Sequence, residues 1–292
     1  MFQGSLIALA TPFDAEDRVD YAALERLIEF HVKNGSDGLV IAGTTGESAT
    51  LIKSEHAELI SKTVEIVNGR LPVIAGTGSN STAQTIQLSL DVGSLGIDAY
   101  LMVAPYYNKP MQEGIYQHFS SIADAVNKPV MLYNVPGRTV TDILPETVAK
   151  LATHQNIFGI KEATGDMKRL NRIRQLVPEN FMLYSGDDFT ALEFIENGGN
   201  GVVTVSGNVA PKLMSKMCRA ALAGENDKAK ELDARLQPLN KALFLESNPI
   251  PLKWALAEMG LISPALRLPL TPYAEKFHAE MRQAMKHAGI IL

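Results

Sequence analysis

The chain has 292 residues, 46% of them hydrophobic and 20% charged, with a net charge of −5. That length can bury a large core, and the composition is that of an ordinary globular protein. The mild acidity argues against a nucleic-acid partner, which needs a basic face. A single cysteine, Cys218, cannot staple the chain internally and points to a reducing compartment. The first 13 residues lack a basic n-region and meet Pro12 early, and no stretch reaches the roughly 20 apolar residues of a membrane span. A cytoplasmic protein is expected.

In chain order, short apolar runs rich in β-branched residues alternate with helical patterns. The runs lie at 4–10, 38–42, 72–75, 99–104, 130–135, 157–163, 181–185 and 201–205. The helical segments fall at 21–33, 54–67, 81–92, 112–126, 145–151, 167–176, 188–197 and 210–223. Ser54, Ser81 and Asp188 are read as helix starts. Continuous apolar runs suit strands buried on both faces. Eight such strand–helix units predict a (β/α)8 barrel, the TIM-barrel form of the α/β class. A doubly wound sheet would carry a glycine-rich fingerprint after its first strand, where this chain has Thr11-Pro12-Phe13. Helices alone are expected beyond that, at 226–245, 249–259 and 272–288. The chain thus divides into a catalytic barrel, 1–224, and a C-terminal helical region, 225–292.

Polar, turn-rich segments follow the strands: Gly43-Thr44-Thr45-Gly46-Glu47, Gly76-Thr77-Gly78, Pro105-Tyr106-Tyr107-Asn108, Asn134-Val135-Pro136-Gly137-Arg138 and Ser185-Gly186-Asp187. All fall at the C-terminal rim, where barrel enzymes carry their active sites.

Of sixteen lysines, only Lys161 falls within a predicted strand. Gly159 shares its face by alternation and is expected to leave room for the lysine stem and a substrate. Desolvation there disfavours the ammonium and favours the free amine that attacks a carbonyl to give an imine. Two other readings stand beside this one. Lys161 could pair with Asp187 or another rim carboxylate, or carry pyridoxal phosphate, although no phosphate loop or partner for the ring nitrogen is evident. Tyr133, in the fifth strand, could move protons in the lumen or simply pack there. The 43–47 turn offers hydroxyls and backbone N–H groups to a carboxylate, or is an ordinary tight turn. The six histidines are scattered with no metal-ligand spacing, so no catalytic metal is expected. Cys218, within an apolar helical segment, is read as a buried residue rather than a nucleophile.

Four segments together resemble the dihydrodipicolinate synthase family, within the pyruvate-dependent aldolases that include N-acetylneuraminate lyase. They are Gly-Thr-Thr-Gly-Glu-Ser at 43–48, Pro-Tyr-Tyr-Asn-Lys-Pro at 105–110, Tyr-Asn-Val-Pro-Gly-Arg-Thr at 133–139 and Gly-Ile-Lys-Glu-Ala-Thr-Gly at 159–165. The resemblance runs from Gly4 through the C-terminal helices, and the Arg138 segment favours the synthase over its sisters. It implies a pyruvate imine on Lys161 and a proton relay of Tyr133, Thr44 and Tyr107, the last reaching into a neighbouring subunit. Thr45 would hold the pyruvate carboxylate and Arg138 that of L-aspartate 4-semialdehyde. Backbone around Gly186 and Val203 would complete the pocket. A homotetramer, a dimer of tight dimers without cofactor, is implied, placed in lysine and diaminopimelate biosynthesis. The family's feedback site for L-lysine maps to Ser48, Ala49, Lys53, His56, Asn80, Gln84 and Tyr106. Lysine-sensitive relatives typically have histidine for Lys53 and glutamate for Gln84, so weak or absent inhibition is expected. The alternatives are a sister aldolase with another aldehyde partner and a keto-acid sensor without activity.

Overall fold

The computed structural model describes residues 2–291, so Met1 and Leu292, at the ends of the two expected regions, lie outside it. Among the described residues, eight parallel strands close in sequence order: β1 Gly4–Ala8, β2 Gly38–Ile41, β3 Val73–Gly76, β4 Ala99–Val103, β5 Val130–Asn134, β6 Ile157–Glu162, β7 Met182–Ser185 and β8 Gly201–Thr204. Helices connect them: α1 Tyr21–Asn34, α2 Lys53–Val67, α3 Thr82–Gly93, α4 Gln112–Ala125, α5 Pro136–Thr139, α6 Pro145–Leu151, α7 Met167–Leu176 and α8 Ala191–Glu196. After β8 come α9 Pro211–Leu222, α10 Asn226–Ala242, α11 Ile250–Glu258 and α12 His278–His287. The chain is a TIM barrel with a C-terminal helical extension. Among the described residues, no helix is long and apolar enough to cross a membrane.

Two apolar layers result. Leu6, Val40, Ile74, Leu101, Met131, Phe158, Tyr184 and Val203 fill the lumen. The opposite strand faces meet the helices, and Leu236, Leu239, Leu252, Leu256, Met281 and Met285 of the C-terminal helices belong to the same outer cluster. Cys218 is wholly buried in α9, where burial pushes its thiol pKa up, as suits an inert packing residue.

Three predicted helix starts fare differently. Ser81 caps α3, its side chain accepting the Gln84 N–H at 3.4 Å. Ser54 does not cap α2, which begins at Lys53; the Glu55 carboxylate instead accepts the Ile52 N–H at 3.1 Å. Asp188 starts no helix. It is buried and accepts the N–H groups of Val205 and Ser206 at 2.8 and 3.0 Å, which ties the loop after β7 to the end of β8. The helix expected from 272 begins as a 3-10 turn at Glu275–Phe277 and becomes α-helical at His278; 271–274 form no helix, and Tyr273 stacks on Phe277 and His278.

The β5–β6 pairing holds an irregularity that strand alternation does not predict. Val130 pairs with Ile157 but Met131 with Gly159, leaving Phe158 as an extra residue. Phe158 therefore turns into the lumen, edge-on to Tyr184 with ring centroids 6.5 Å apart. Barrel closure depends on a different seam, where Gly4 pairs with Gly201. A Cβ on Gly201 would fall on the Gly4 carbonyl, and its φ of +153° also disfavours a side chain. Gly201→Ala is expected to destabilise the fold by about 3 kcal/mol or more, through overpacking and backbone strain together. A melting temperature lowered by only a degree or less would show that the seam can relax.

Candidate active site

Tyr133 and Lys161 are paired residues of β5 and β6, and both point into the lumen near its C-terminal end. Lys161 is 6% exposed, and its Nζ lies 4.2 Å from the centroid of the Tyr133 ring. No carboxylate of the described residues lies within 4.0 Å of that Nζ, so the expected alternative of an ion pair with Asp187 is not formed. Asp187 turns instead to Thr190, whose hydroxyl donates to it at 2.7 Å.

The space for the Lys161 stem comes from a different glycine than alternation suggested. A Cβ on Gly159 would meet the Met182 carbonyl at 2.5 Å, so that glycine serves the close approach of β7. A Cβ on Gly186 would lie 2.9 Å from Lys161 Cε and 2.6 Å from the Ala163 Cβ. Gly186 is thus the residue whose missing side chain accommodates the lysine.

The residues following the pair point out of the lumen and are locked together. Asn134 donates to Glu162 at 3.0 Å and to Asp142 at 2.9 Å. Arg169 bridges the two carboxylates, at 2.8 Å to each. Burial pushes the Glu162 carboxyl pKa up, against the opposing pull of Arg169 and Asn134. This cluster fixes the register of β5 on β6 from outside, and with it the approach of Tyr133 to Lys161.

A cavity of about 530 Å3 opens at this rim. Thr44, Tyr133 and Arg138 line it, together with Ser48, Ala49, Lys53, His56, Gln84 and Tyr106. Two of the catalytic candidates, Thr44 and Tyr133, and most of the candidate effector residues therefore share one continuous space. Lys161, Thr45, Gly186, Val203 and Asn80 do not line it, and Asn80 holds the Tyr106 carbonyl at 3.1 Å. His56 is buried, with Nε2 2.8 Å from the Gly76 carbonyl oxygen, and burial lowers its pKa. Tyr107 does not line the cavity; it is 90% exposed, with a left-handed φ of 75°.

Sequence reasoning missed the supports of the 43–47 turn. Lys253, on α11, is wholly buried and pairs with Glu47 at 2.6 Å, so Lys161 is not the sole lysine withdrawn from solvent. Its Nζ also sits 4.1 Å from the Phe13 ring centroid, and burial pushes its pKa down against the pull of Glu47. Glu47 accepts the Arg267 N–H at 3.2 Å as well. Asn248 donates its side-chain N–H to the Thr45 hydroxyl at 3.0 Å, and its carbonyl accepts from Arg138 at 3.2 Å. Lys253 falls in the predicted helix at 249–259, but its apolar neighbours Pro251, Leu252, Trp254 and Ala255 are the one signal that hints at burial.

A parallel barrel with a buried, uncompensated lysine at its C-terminal rim has the architecture of a class I aldolase-type lyase. The model of the dihydrodipicolinate synthetase family matches residues 1–288. A 4-hydroxy-tetrahydrodipicolinate synthase of Methylococcus capsulatus is 55% identical over 291 residues, covering all of both chains. That of Pseudomonas aeruginosa is 53% identical, again over the full length of both. Among solved structures, a chloride-inhibited dihydrodipicolinate synthase from Acinetobacter baumannii, complexed with pyruvate, is 48% identical and superimposes over the whole of both chains with a TM-score of 0.98. The lysine-bound synthase of Cyanidioschyzon merolae is 42% identical, with a TM-score of 0.95 over 99% of each chain. The chain belongs to the dihydrodipicolinate synthetase family. It is a lyase, and the activity that goes with these full-length relatives is 4-hydroxy-tetrahydrodipicolinate synthesis in the lysine pathway.

The Glu47–Lys253 pair gives a direct test of the turn's support. Lys253→Met should cost about 3–5 kcal/mol in urea unfolding, because it strands a buried carboxylate. Adding Glu47→Gln should recover most of that loss. A single variant as stable as the parent would mean that water reaches Glu47 and the pair is not confined.

Proposed function

We propose that this chain condenses pyruvate with L-aspartate 4-semialdehyde through an imine on Lys161. The observation that carries the reading is the buried Lys161 amine, set over the Tyr133 ring with no carboxylate of the described residues within 4.0 Å. The amine adds to the pyruvate ketone and water leaves. A proton is then removed from the methyl group, and the resulting enamine carbon attacks the aldehyde. The amino group of the adduct displaces Lys161 and closes the ring, returning the free lysine.

Each proton step needs a group near the reacting atoms, and the Tyr133 ring lies beside Lys161, its centroid 4.2 Å from the amine. Thr44, in the cavity wall, passes the proton onward, and Tyr107 of the partner subunit completes the relay. The exposure of Tyr107 on its own subunit suits that role, and with it a homotetramer built as a dimer of tight dimers in the cytoplasm. Thr45 and its loop hold the pyruvate carboxylate, with backbone around Gly186 and Val203 closing the far side. Arg138, at the cavity mouth, holds the carboxylate of the aldehyde. The 1–224 barrel then carries the chemistry, and the 225–292 region braces its loops. A sister aldolase would share Lys161 and differ in the partner aldehyde.

Borohydride with pyruvate should leave one reduced pyruvyl adduct on Lys161. Arg138→Ala should retain that adduct yet lose roughly a hundredfold in kcat/KM for the semialdehyde, the worth of a bidentate charged contact. Full semialdehyde turnover by Arg138→Ala would remove Arg138 from substrate recognition and reopen the sister-aldolase reading. Absence of any adduct in the parent enzyme would leave only a keto-acid sensor.

A second reading concerns L-lysine. Ser48, Ala49, Lys53, His56, Gln84 and Tyr106 line the effector end of the cavity. None is a carboxylate, and Glu47, which also reaches the wall, is already paired with Lys253. The ammonium groups of lysine therefore find Lys53 where opposite charge is needed. Half-inhibition is expected only above roughly millimolar lysine, and Lys53→His with Gln84→Glu should lower that concentration about tenfold or more. Parent enzyme inhibited at micromolar lysine would contradict this account.

A further inference from the structure

The turn that carries Thr44 and Thr45 is joined to the start of α11 by two rungs. One is the buried Glu47–Lys253 pair at 2.6 Å. The other is the hydrogen bond from the Asn248 amide to the Thr45 hydroxyl, at 3.0 Å. Both Thr45 and Asn248 are nearly inaccessible, at 3% and 5% exposure, although Asn248 borders the cavity. The same Asn248 holds Arg138 through its main-chain carbonyl, at 3.2 Å. One residue of the C-terminal region thus touches the supports of both proposed carboxylate subsites.

A threonine hydroxyl has one proton to give and accepts through its lone pairs. When Asn248 donates to Thr45 Oγ1, it fills an acceptor position and leaves the hydroxyl proton free for another acceptor. In a buried site, a carboxylate is the acceptor that gains most from such a donor.

We propose that Asn248 is a positioning residue for pyruvate: by donating to Thr45 it orients the Thr45 hydroxyl proton toward the substrate carboxylate. The proposal rests on the reading of Thr45 as a holder of the pyruvate carboxylate. It concerns binding of the first substrate and leaves the Lys161 chemistry itself untouched. An aspartate at this position would reverse the hydrogen bond, since an ionised carboxylate only accepts. Thr45 would then spend its proton on residue 248, and a second negative charge would face the substrate anion.

The test compares Asn248→Asp and Asn248→Ala with the parent, by steady-state kinetics and by borohydride trapping of pyruvate on Lys161. The melting temperature of each variant and the adduct yield at saturating pyruvate count the folded, competent sites. The pyruvate KM is expected to rise roughly tenfold in Asn248→Ala, as for one lost hydrogen bond to a charged group, and further in Asn248→Asp. Trapped adduct at saturating pyruvate should stay near one per chain in both. In a Thr45→Val background, where no hydroxyl remains to be oriented, replacing Asn248 with Ala should add little to the pyruvate KM. A loss of stability and competent sites with an unchanged pyruvate KM in the remaining sites would overturn the proposal and leave Asn248 a purely structural brace. So would an Asn248→Ala effect of the same size with and without the Thr45 hydroxyl. Failure of the parent enzyme to form the adduct would instead strike the Lys161 reading beneath it.

Discussion

A lysine kept inside a barrel with no counterion among the described residues is the constraint around which this rim is arranged. Pairing Lys161 with a carboxylate would tie its amine to a second side chain, yet its neighbour in sequence is Glu162. The strand itself keeps them apart, because successive side chains leave opposite faces. Lys161 enters the lumen beside Tyr133, while Glu162 faces outward into Arg169 and Asn134. The same cluster that neutralises the carboxylate also fixes the β5–β6 register. Electrostatic segregation and geometric alignment are therefore served by one set of contacts.

Glycines complete that arrangement at two places with different logic. Gly186 yields volume to the Lys161 stem, a requirement set by a side chain of the neighbouring strand. Gly201 yields volume to the Gly4 backbone, a requirement set by closing the barrel. The first can be met only if the second is, since β7 and β8 take their places around Lys161 through closure of the ring.

The eight strands and the site rim were legible because both leave local marks: apolar runs at regular spacing, then turns rich in Gly, Thr, Asn and Tyr. Lys161 stood out for the same reason, as a charge inside an apolar run. What escaped has no local mark. The extra residue at Phe158 depends on how β5 pairs with β6, and Asp188 resembles a helix cap until the loop after β8 claims it. The partners of Glu47 and Thr45, Lys253 and Asn248, lie about 200 positions away in sequence, where no period or spacing reaches. Gly159 misled for a related reason: alternation identifies the face but not which neighbouring strand will crowd it.

These long-range ties suggest how chemistry and substrate choice are divided in such a barrel. Lys161 and Tyr133, at the centre of the proposed imine chemistry, sit on strands locked by backbone pairing, where a shift of register would displace the whole face. The groups proposed to hold carboxylates, Thr45 and Arg138, sit on rim segments, and their orientation is set by the C-terminal region through Asn248. A change in that region can therefore re-aim an anion-binding group without touching the strand lysine. The reverse does not hold, because moving Lys161 would require re-registering β6 against both neighbours. On physical grounds, a barrel of this kind can exchange its second substrate far more readily than its nucleophile.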